Sequence, residues 1–241
     1  MLHLTRAQVR SELFPLRDRY PYALPVLDAL PALAFTTPVT FFVGENGSGK
    51  STVLEAIARR CNIPIWAQQE GGRVERNPHE HQLAAFTEVT WADGPVPGSY
   101  FAAQIFREFA LALDDFAAAD PGQLHYFGGH SLLTLSHGQS LMAYFRARYA
   151  RRGLYLLDEP ETALSPATQV ALLRLLHEVA GQGHAQFVIC SHSPILLACP
   201  GARIYSFDHA PVQEIAYPDT AQFRVYREFM ADPAGAVDLT P

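Results

Sequence analysis

Lys50 is the only lysine among 241 residues, and it closes the run Gly44-Glu45-Asn46-Gly47-Ser48-Gly49 and opens Ser51-Thr52. These residue types at this spacing suit a phosphate group. Glycines accept positive φ and let backbone N–H groups approach an anion with no Cβ in the way. In a Gly-x4-Gly-Lys-Ser/Thr run the N–H groups cradle the β-phosphate, the lysine adds charge toward the β and γ oxygens, and the next hydroxyl reaches Mg²⁺. The candidates for holding a nucleotide are therefore Gly44, Asn46, Gly47, Ser48, Gly49, Lys50, Ser51 and Thr52.

A second constellation lies downstream. Gly153-Leu154-Tyr155-Leu156-Leu157 is a short apolar run ending in Asp158-Glu159-Pro160. A carboxylate at a strand end can orient Mg²⁺, and one residue further a second can polarise a water in line with the γ-phosphate. Asp158 takes the first role and Glu159 the second. Thirty-four residues past Asp158, the apolar run Gln186-Phe187-Val188-Ile189-Cys190 closes on Ser191-His192-Ser193-Pro194. His192 alone would carry little weight. At the end of a strand parallel to the one bearing Asp158, it is placed to touch a γ-phosphate, because ligands of open α/β sheets collect at the carboxyl ends of strands.

The elements that must hold these groups can be read from their flanks. Val39-Thr40-Phe41-Phe42-Val43 reads as a buried strand and residues 51–60 as an amphipathic helix, which puts the phosphates at a helix N-terminus. Residues 84–91 read as another strand and residues 100–116 as helix, the latter within a helical lobe spanning about 99–152. A Gly-rich stretch, Pro121-Gly122-Gln123 through Phe127-Gly128-Gly129-His130, follows as a lid or a connector. Residues 202–232 read as a hairpin and a closing helix, whose task is either packing on the sheet edge or docking a partner.

Composition sets outer bounds. A chain with 49% hydrophobic residues buries a sizeable core. Cys61, Cys190 and Cys199 are odd in number and form no C-x-x-C pair, so neither a disulfide framework nor a zinc site is indicated. The first residues lack the apolar core of a secretory signal and no apolar run reaches membrane-spanning length, so a soluble cytoplasmic protein without membrane insertion is expected. A net charge of −6 argues against indiscriminate coating of nucleic acid.

Between the loop and the acids stands Thr134-Leu135-Ser136-His137-Gly138-Gln139. Leu135-Ser136-His137-Gly138-Gln139 resembles the Leu-Ser-Gly-Gly-Gln signature of ABC-type ATPases, with His137 in place of one glycine. The 22 residues from Ser136 to Asp158 match that family's separation, as do the distances from Lys50 to the signature and from Asp158 to His192. The resemblance covers roughly residues 35–200 through four ordered motifs. It implies an α/β phosphate-loop NTPase fold across residues 1–241, with a mostly parallel sheet, a small antiparallel section and a helical signature lobe. It also implies ATP and Mg²⁺ as ligands, an ATP-dependent head-to-tail homodimer, and Ser136 and Gly138 of one copy capping the γ-phosphate held by the other. His137 puts bulk near that phosphate.

The same resemblance predicts an aromatic that stacks on adenine, for which Tyr22 and Tyr20 both stand as candidates. It predicts a glutamine that senses metal and attacking water. Gln104 is best placed for that role, with Gln68 and Gln69 competing. Among branches of the family, Asp158-Glu159-Pro160-Glu161 and Ser191-His192-Ser193-Pro194-Ile195-Leu196-Leu197 resemble the soluble ATPases related to RecF, SMC and OLD more than transport cassettes. The 84 residues between Ser51 and Ser136 are too few for SMC-type arms. Three tasks stay open: a switch in DNA maintenance or defence with DNA or a nucleic-acid-processing protein as partner, the ATP-binding subunit of a membrane transporter, and an ATP-gated protein-interaction module. Arg146, Arg148, Arg151 and Arg152 either complement a helix C-terminus or touch a DNA backbone.

Overall fold

The structure, a computed structural model, describes residues 2–66, 77–120, 122–125, 129, 131–162 and 164–235, the side chains of Arg107, Gln123 and His137 excepted. In chain order, β1 (Leu4–Val9), the single turn α1 (Pro25–Asp28) and β2 (Leu33–Ala34) precede β3 (Val39–Val43) and α2 (Lys50–Arg60). Next come β4 (Thr87–Trp91), β5 (Gly98–Ala102), α3 (Phe106–Ala119), the turn α4 (Gly122–His125) and α5 (His137–Tyr149). Then follow β6 (Gly153–Asp158), α6 (Pro166–Gly181), β7 (Ala185–Cys190), the turn α7 (Pro194–Leu197), β8 (Arg203–Ser206), β9 (Gln213–Ile215) and α8 (Ala221–Ala231).

The principal sheet has the order β5-β6-β7-β3-β8-β9, parallel throughout except for the antiparallel β8–β9 pair. Its central strands are buried on both faces, which is why they read as continuous apolar runs. Alternate residues feed two separate cores. Phe41, Tyr155, Leu157, Phe187 and Ile189 pack under α5 and α6, whereas Phe42, Leu154, Leu156 and Val188 pack under Val53, Leu54 and Ile57 of α2. The second sheet, β2-β1-β4, is antiparallel and closes the α2 side. Gln186, wholly buried on β7, clamps it: its Oε1 accepts from the N–H groups of His3 and Leu4, and its Nε2 donates to Leu4 O, each at 2.8 Å.

This is the expected α/β architecture, with two differences of detail. The strand predicted over 84–91 begins only at Thr87, because Gln82–Phe86 coils into a 3-10 turn that buries Leu83 and receives the Thr87 hydroxyl at Leu83 O. Tyr100, expected at the start of the helical lobe, is extended: Gly98–Ala102 runs parallel to β6, and helix begins at Phe106. A Cβ on Gly98 would meet Leu154 O at 2.3 Å, so a glycine lets this edge strand seat against β6. The lobe itself is aromatic, with Phe106 against Phe101 and Tyr144, and Phe101 against Phe145. The hairpin and closing helix of the C-terminal region are present, with α8 capped by Thr220.

Candidate active site

β3 delivers the chain into the phosphate loop, and α2 carries it away. Gly44, Gly47 and Gly49 all have positive φ. At Gly49, the residue before the helix, φ is +96° and a Cβ would stand 2.9 Å from Val26 Cγ1, so both backbone and space require glycine. Lys50 is only 4% exposed. Its Nζ donates to Gly44 O at 2.6 Å and to Glu45 O at 2.8 Å, folding the side chain back over the loop. The Ser48 hydroxyl lies 3.4 Å from the same nitrogen.

The acids meet this loop from β6. Ser51 Oγ donates to Asp158 Oδ1 at 2.8 Å, and the Tyr100 hydroxyl donates to Asp158 Oδ2 at 3.2 Å. Burial pushes the Asp158 carboxyl above the usual carboxylate range and the neighbouring Glu159 charge adds to this, while the Ser51 and Tyr100 hydroxyls oppose it. Glu159 adopts a left-handed conformation, φ +47°, while its N–H still bonds Cys190 O at 3.0 Å. That turn swings the Glu159 side chain off the end of β6, where it joins Asn46, Gly47, Gly49, Lys50, Ser51 and Thr52 around a cleft of about 240 Å³. His192 approaches from the end of β7, its Nε2 3.7 Å from Glu159 Oε1. Ser51 and Asp158 are hard oxygen donors at a phosphate loop, the set that Mg²⁺ takes with substrate phosphates, so these residues fit that ion.

The stacking candidates separate. Tyr22 is 1% exposed, donates to Gln82 Oε1 at 3.1 Å and packs against Phe14 and Phe86, so it is a core residue and cannot stack on a base. Tyr20 is 44% exposed, lines the phosphate cleft and shares a 3.0 Å hydrogen bond with Thr52 Oγ1. Gln104 is exposed in the 3-10 turn Ala103–Ile105, two residues past Ala102, which pairs with Asp158. Gln68 and Gln69 lie outside the described residues, as do Pro121, Phe127, Gly128 and His130 of the Gly-rich stretch.

The signature stands apart. Ser136 precedes α5 as its N-cap, with its N–H and hydroxyl both directed at Gln139 Oε1, at 3.1 and 2.8 Å. Ser136, Gly138, Gln139, Met142, Arg146 and Thr168 border an open cleft of about 550 Å³ between α5 and α6. None of the described residues that line it lines the phosphate cleft. The His137 imidazole is outside the described side chains. Arg148, Arg151 and Arg152 gather at the amino ends of β5 and β6, away from the site, while Arg146 borders the signature cleft.

Sequence reasoning missed three residues here. Tyr100 was hidden by the helical reading of its segment. Asp208, just past β8, accepts from the Glu45 N–H at 2.7 Å and so braces the phosphate loop. Only the placement of β8 beside β3 reveals it. Glu161 accepts from the His192 N–H at 2.6 Å across the gap between the β6 and β7 loops. Its unusual position after Pro160 was visible, but its partner was not.

A family model described as "AAA ATPase domain" matches residues 139–197, and one described as "AAA domain" matches residues 30–59. The "Thiamine import ATP-binding protein ThiQ" of Cereibacter sphaeroides is 29% identical over 214 residues, covering 80% of this chain and 82% of that protein. The protein of the same name from Ruegeria sp. is 30% identical over 170 residues, covering 63% of this chain and 69% of its own. Among solved structures, "SMC head domain from Thermotoga maritima" superposes with a TM-score of 0.50 at 16% identity, over 89% of this chain and 99% of that one.

Proposed function

The chain belongs to the ABC-type P-loop ATPases and hydrolyses ATP, and from that premise we propose that it works as a cytoplasmic switch in which two copies close head to tail over two ATP molecules. The observation that carries this reading is the division of the chemistry between two clefts. Lys50, Ser51, Asp158, Glu159 and His192 converge at one, and Ser136 with Gly138 borders the other. A γ-phosphate that must meet both sets needs a second copy of the chain.

In this reading Gly44, Asn46, Gly47, Ser48, Gly49, Lys50, Ser51 and Thr52 bind the phosphates, and Tyr20 replaces Tyr22 as the side chain nearest the base. Mg²⁺, when bound, supplies positive charge to the phosphate oxygens. Ser51 and Asp158 would hold it, and Tyr100 fixes the second Asp158 oxygen. Glu159 orients the attacking water and accepts its proton, His192 contacts the γ-phosphate, and Gln104 approaches from β5. The γ-phosphate carries the differential contacts between open and closed states, so its loss releases the dimer.

For what the switch drives, we favour DNA maintenance or defence, with DNA or a nucleic-acid-processing protein as partner. Glu161, Ser165 and Ser193, where this chain departs from the transport-cassette pattern, are all engaged structurally: Glu161 holds the His192 N–H, Ser165 caps α6 through the Thr168 N–H, and Ser193 caps α7 through the N–H groups of Ile195 and Leu196. A second reading is coupling to a membrane transporter, favoured by the names of the thiamine-import relatives. No helix among the described residues is long and apolar enough to cross a membrane.

Hydrolysis measured with and without duplex DNA separates the readings. Stimulation that weakens with salt and disappears in the Arg148→Ala/Arg152→Ala protein supports the DNA reading. Absence of any DNA effect, together with a multi-span membrane protein co-purifying with Glu159→Gln, moves the assignment to transport.

A further inference from the structure

We propose that Glu161 is a positioning residue for His192: its carboxylate ties the loop leaving β6 to the loop leaving β7 and thereby sets where the imidazole stands relative to Glu159. The inference rests on the hydrolytic site proposed above and adds a residue to it.

The two loops leave adjacent parallel strands whose last paired residues are Asp158 and Cys190. One backbone bond, Glu159 N–H to Cys190 O, extends the ladder by a step, and then the chains diverge. Beyond that point the connections come from side chains. Glu161 Oε1 accepts from the His192 N–H at 2.6 Å, and Gln169 Oε1, at the start of α6, accepts from the Ser193 hydroxyl at 2.6 Å. Glu161 is itself held by a tight turn, with Thr162 N–H on Glu159 O and Leu164 N–H on Glu161 O. The carboxylate therefore stands on a fixed base and grips the backbone of the histidine.

The imidazole has little else to place it. His192 Nε2 is buried and has no hydrogen-bond partner among the described residues, and its nearest charged neighbour is Glu159 Oε1 at 3.7 Å. With Nε2 making no hydrogen bond among the described residues, the ring's position follows its backbone, and the backbone at 192 is held by Glu161. The cost of the arrangement is visible on the acid. Burial pushes the Glu161 carboxyl up from the usual range, opposed by the His192 N–H, and its Oε2 is buried without a hydrogen-bond partner among the described residues. A threonine or serine here would avoid that burden but would not span the gap. Aspartate would fall short as well, since one methylene less withdraws the oxygen by about 1.5 Å, beyond hydrogen-bond range.

Reach, rather than charge, is what the geometry demands, and this makes the test specific. Steady-state hydrolysis and ATP affinity are measured on the full chain for Glu161→Ala, Glu161→Asp and Glu161→Gln. Loss of the grip is expected to lower kcat by about 10- to 100-fold in the Ala and Asp proteins, with ATP affinity changed less than about twofold. The Gln protein, whose amide oxygen still reaches the His192 N–H, restores most of the rate. In a His192→Ala background, Glu161→Ala should add nothing further. Equal rates for Ala and Gln, retention of full rate by Asp, or additive losses with His192→Ala would overturn the assignment. Should the Ala protein fail to fold, the contrast between Asp and Gln decides alone. A native chain with no ATP turnover defeats the hydrolytic reading itself, whereas a working native enzyme with indifferent Glu161 variants defeats only this inference.

Discussion

The ammonium group of Lys50 donates to the carbonyl oxygen of Gly44 at 2.6 Å, six residues back along its own chain. The one lysine of the sequence thus closes its loop from inside. It also donates to Glu45 O at 2.8 Å, a carbonyl that the Ser48 N–H reaches as well. Lys50→Ala should therefore act twice. ATP affinity falls by roughly 10- to 100-fold, the worth of a hydrogen-bonded charge at about 1.5–3 kcal/mol. The protein also loses about 1–3 kcal/mol as the Gly44 carbonyl loses its donor, Glu45 O keeping the Ser48 N–H at 3.2 Å. Titration calorimetry reads the first effect and urea unfolding the second. Undiminished ATP affinity would remove Lys50 from the site.

Two tyrosines separated by one proline part company in the fold, and mutation should part them again. Tyr20→Ala removes an exposed ring beside Thr52 and is expected to weaken ATP binding by about 2- to 10-fold with little change in stability. Tyr22→Ala empties a core site against Phe14 and Phe86 and should cost about 3 kcal/mol while leaving affinity intact in the folded fraction. Competition with ADP against adenosine-free triphosphate separates base stacking from phosphate contact. The reverse pattern would restore Tyr22 to the site.

What could be read in advance was chemistry contiguous along the chain. The glycines, Lys50 and Ser51 of the phosphate loop are neighbours in sequence, and Asp158 and His192 each end a strand buried on both faces, so their runs announce themselves. What escaped reading depends on which strand lies beside which. Asp208 touches Glu45 across 163 residues because β8 follows β3 in the sheet, an order no local pattern encodes. Tyr100 was lost because a five-residue edge strand followed closely by a helix shares the helix's apolar spacing. Tyr20 and Tyr22 were indistinguishable because both are aromatic and flank the same proline, and only burial assigns one to the core.

The buried carboxyl of Glu161 gives the pH dependence of stability a definite sign. Its native pKa is raised by burial above the 4.5 of an ordinary glutamate, so the folded chain holds that proton more tightly than the unfolded one. As pH rises from about 4.5 through the raised native value, the native state binds more protons than the unfolded state, and stability falls; above that value the loss is complete and constant. Asp158, also raised by burial, contributes in the same sense. Glu161→Gln should flatten this decline in part, leaving the share due to Asp158. Urea midpoints collected across the window measure it, and a slope identical to that of the native chain would show that the Glu161 proton is not involved.

Gly138 offers the sharpest test of the closed dimer, because nothing among the described residues of its own protomer demands a glycine. Its φ is not positive, and an added Cβ would meet Thr168 at 3.7 Å and Leu164 at 3.9 Å, ordinary van der Waals distances. In the free protomer Gly138→Ala is therefore tolerated, and the better helix former should raise stability by up to about 1 kcal/mol. The missing side chain instead suits close approach by another molecule at the head of α5. In the Glu159→Gln background, where ATP binds without being consumed, light scattering should report a shift from the 26.6 kDa protomer toward twice that mass on addition of ATP and Mg²⁺. Adding Gly138→Ala should weaken that association while the melting temperature holds or rises. If the doubly substituted protein dimerises as tightly as Glu159→Gln alone, the signature cleft does not receive the partner's nucleotide.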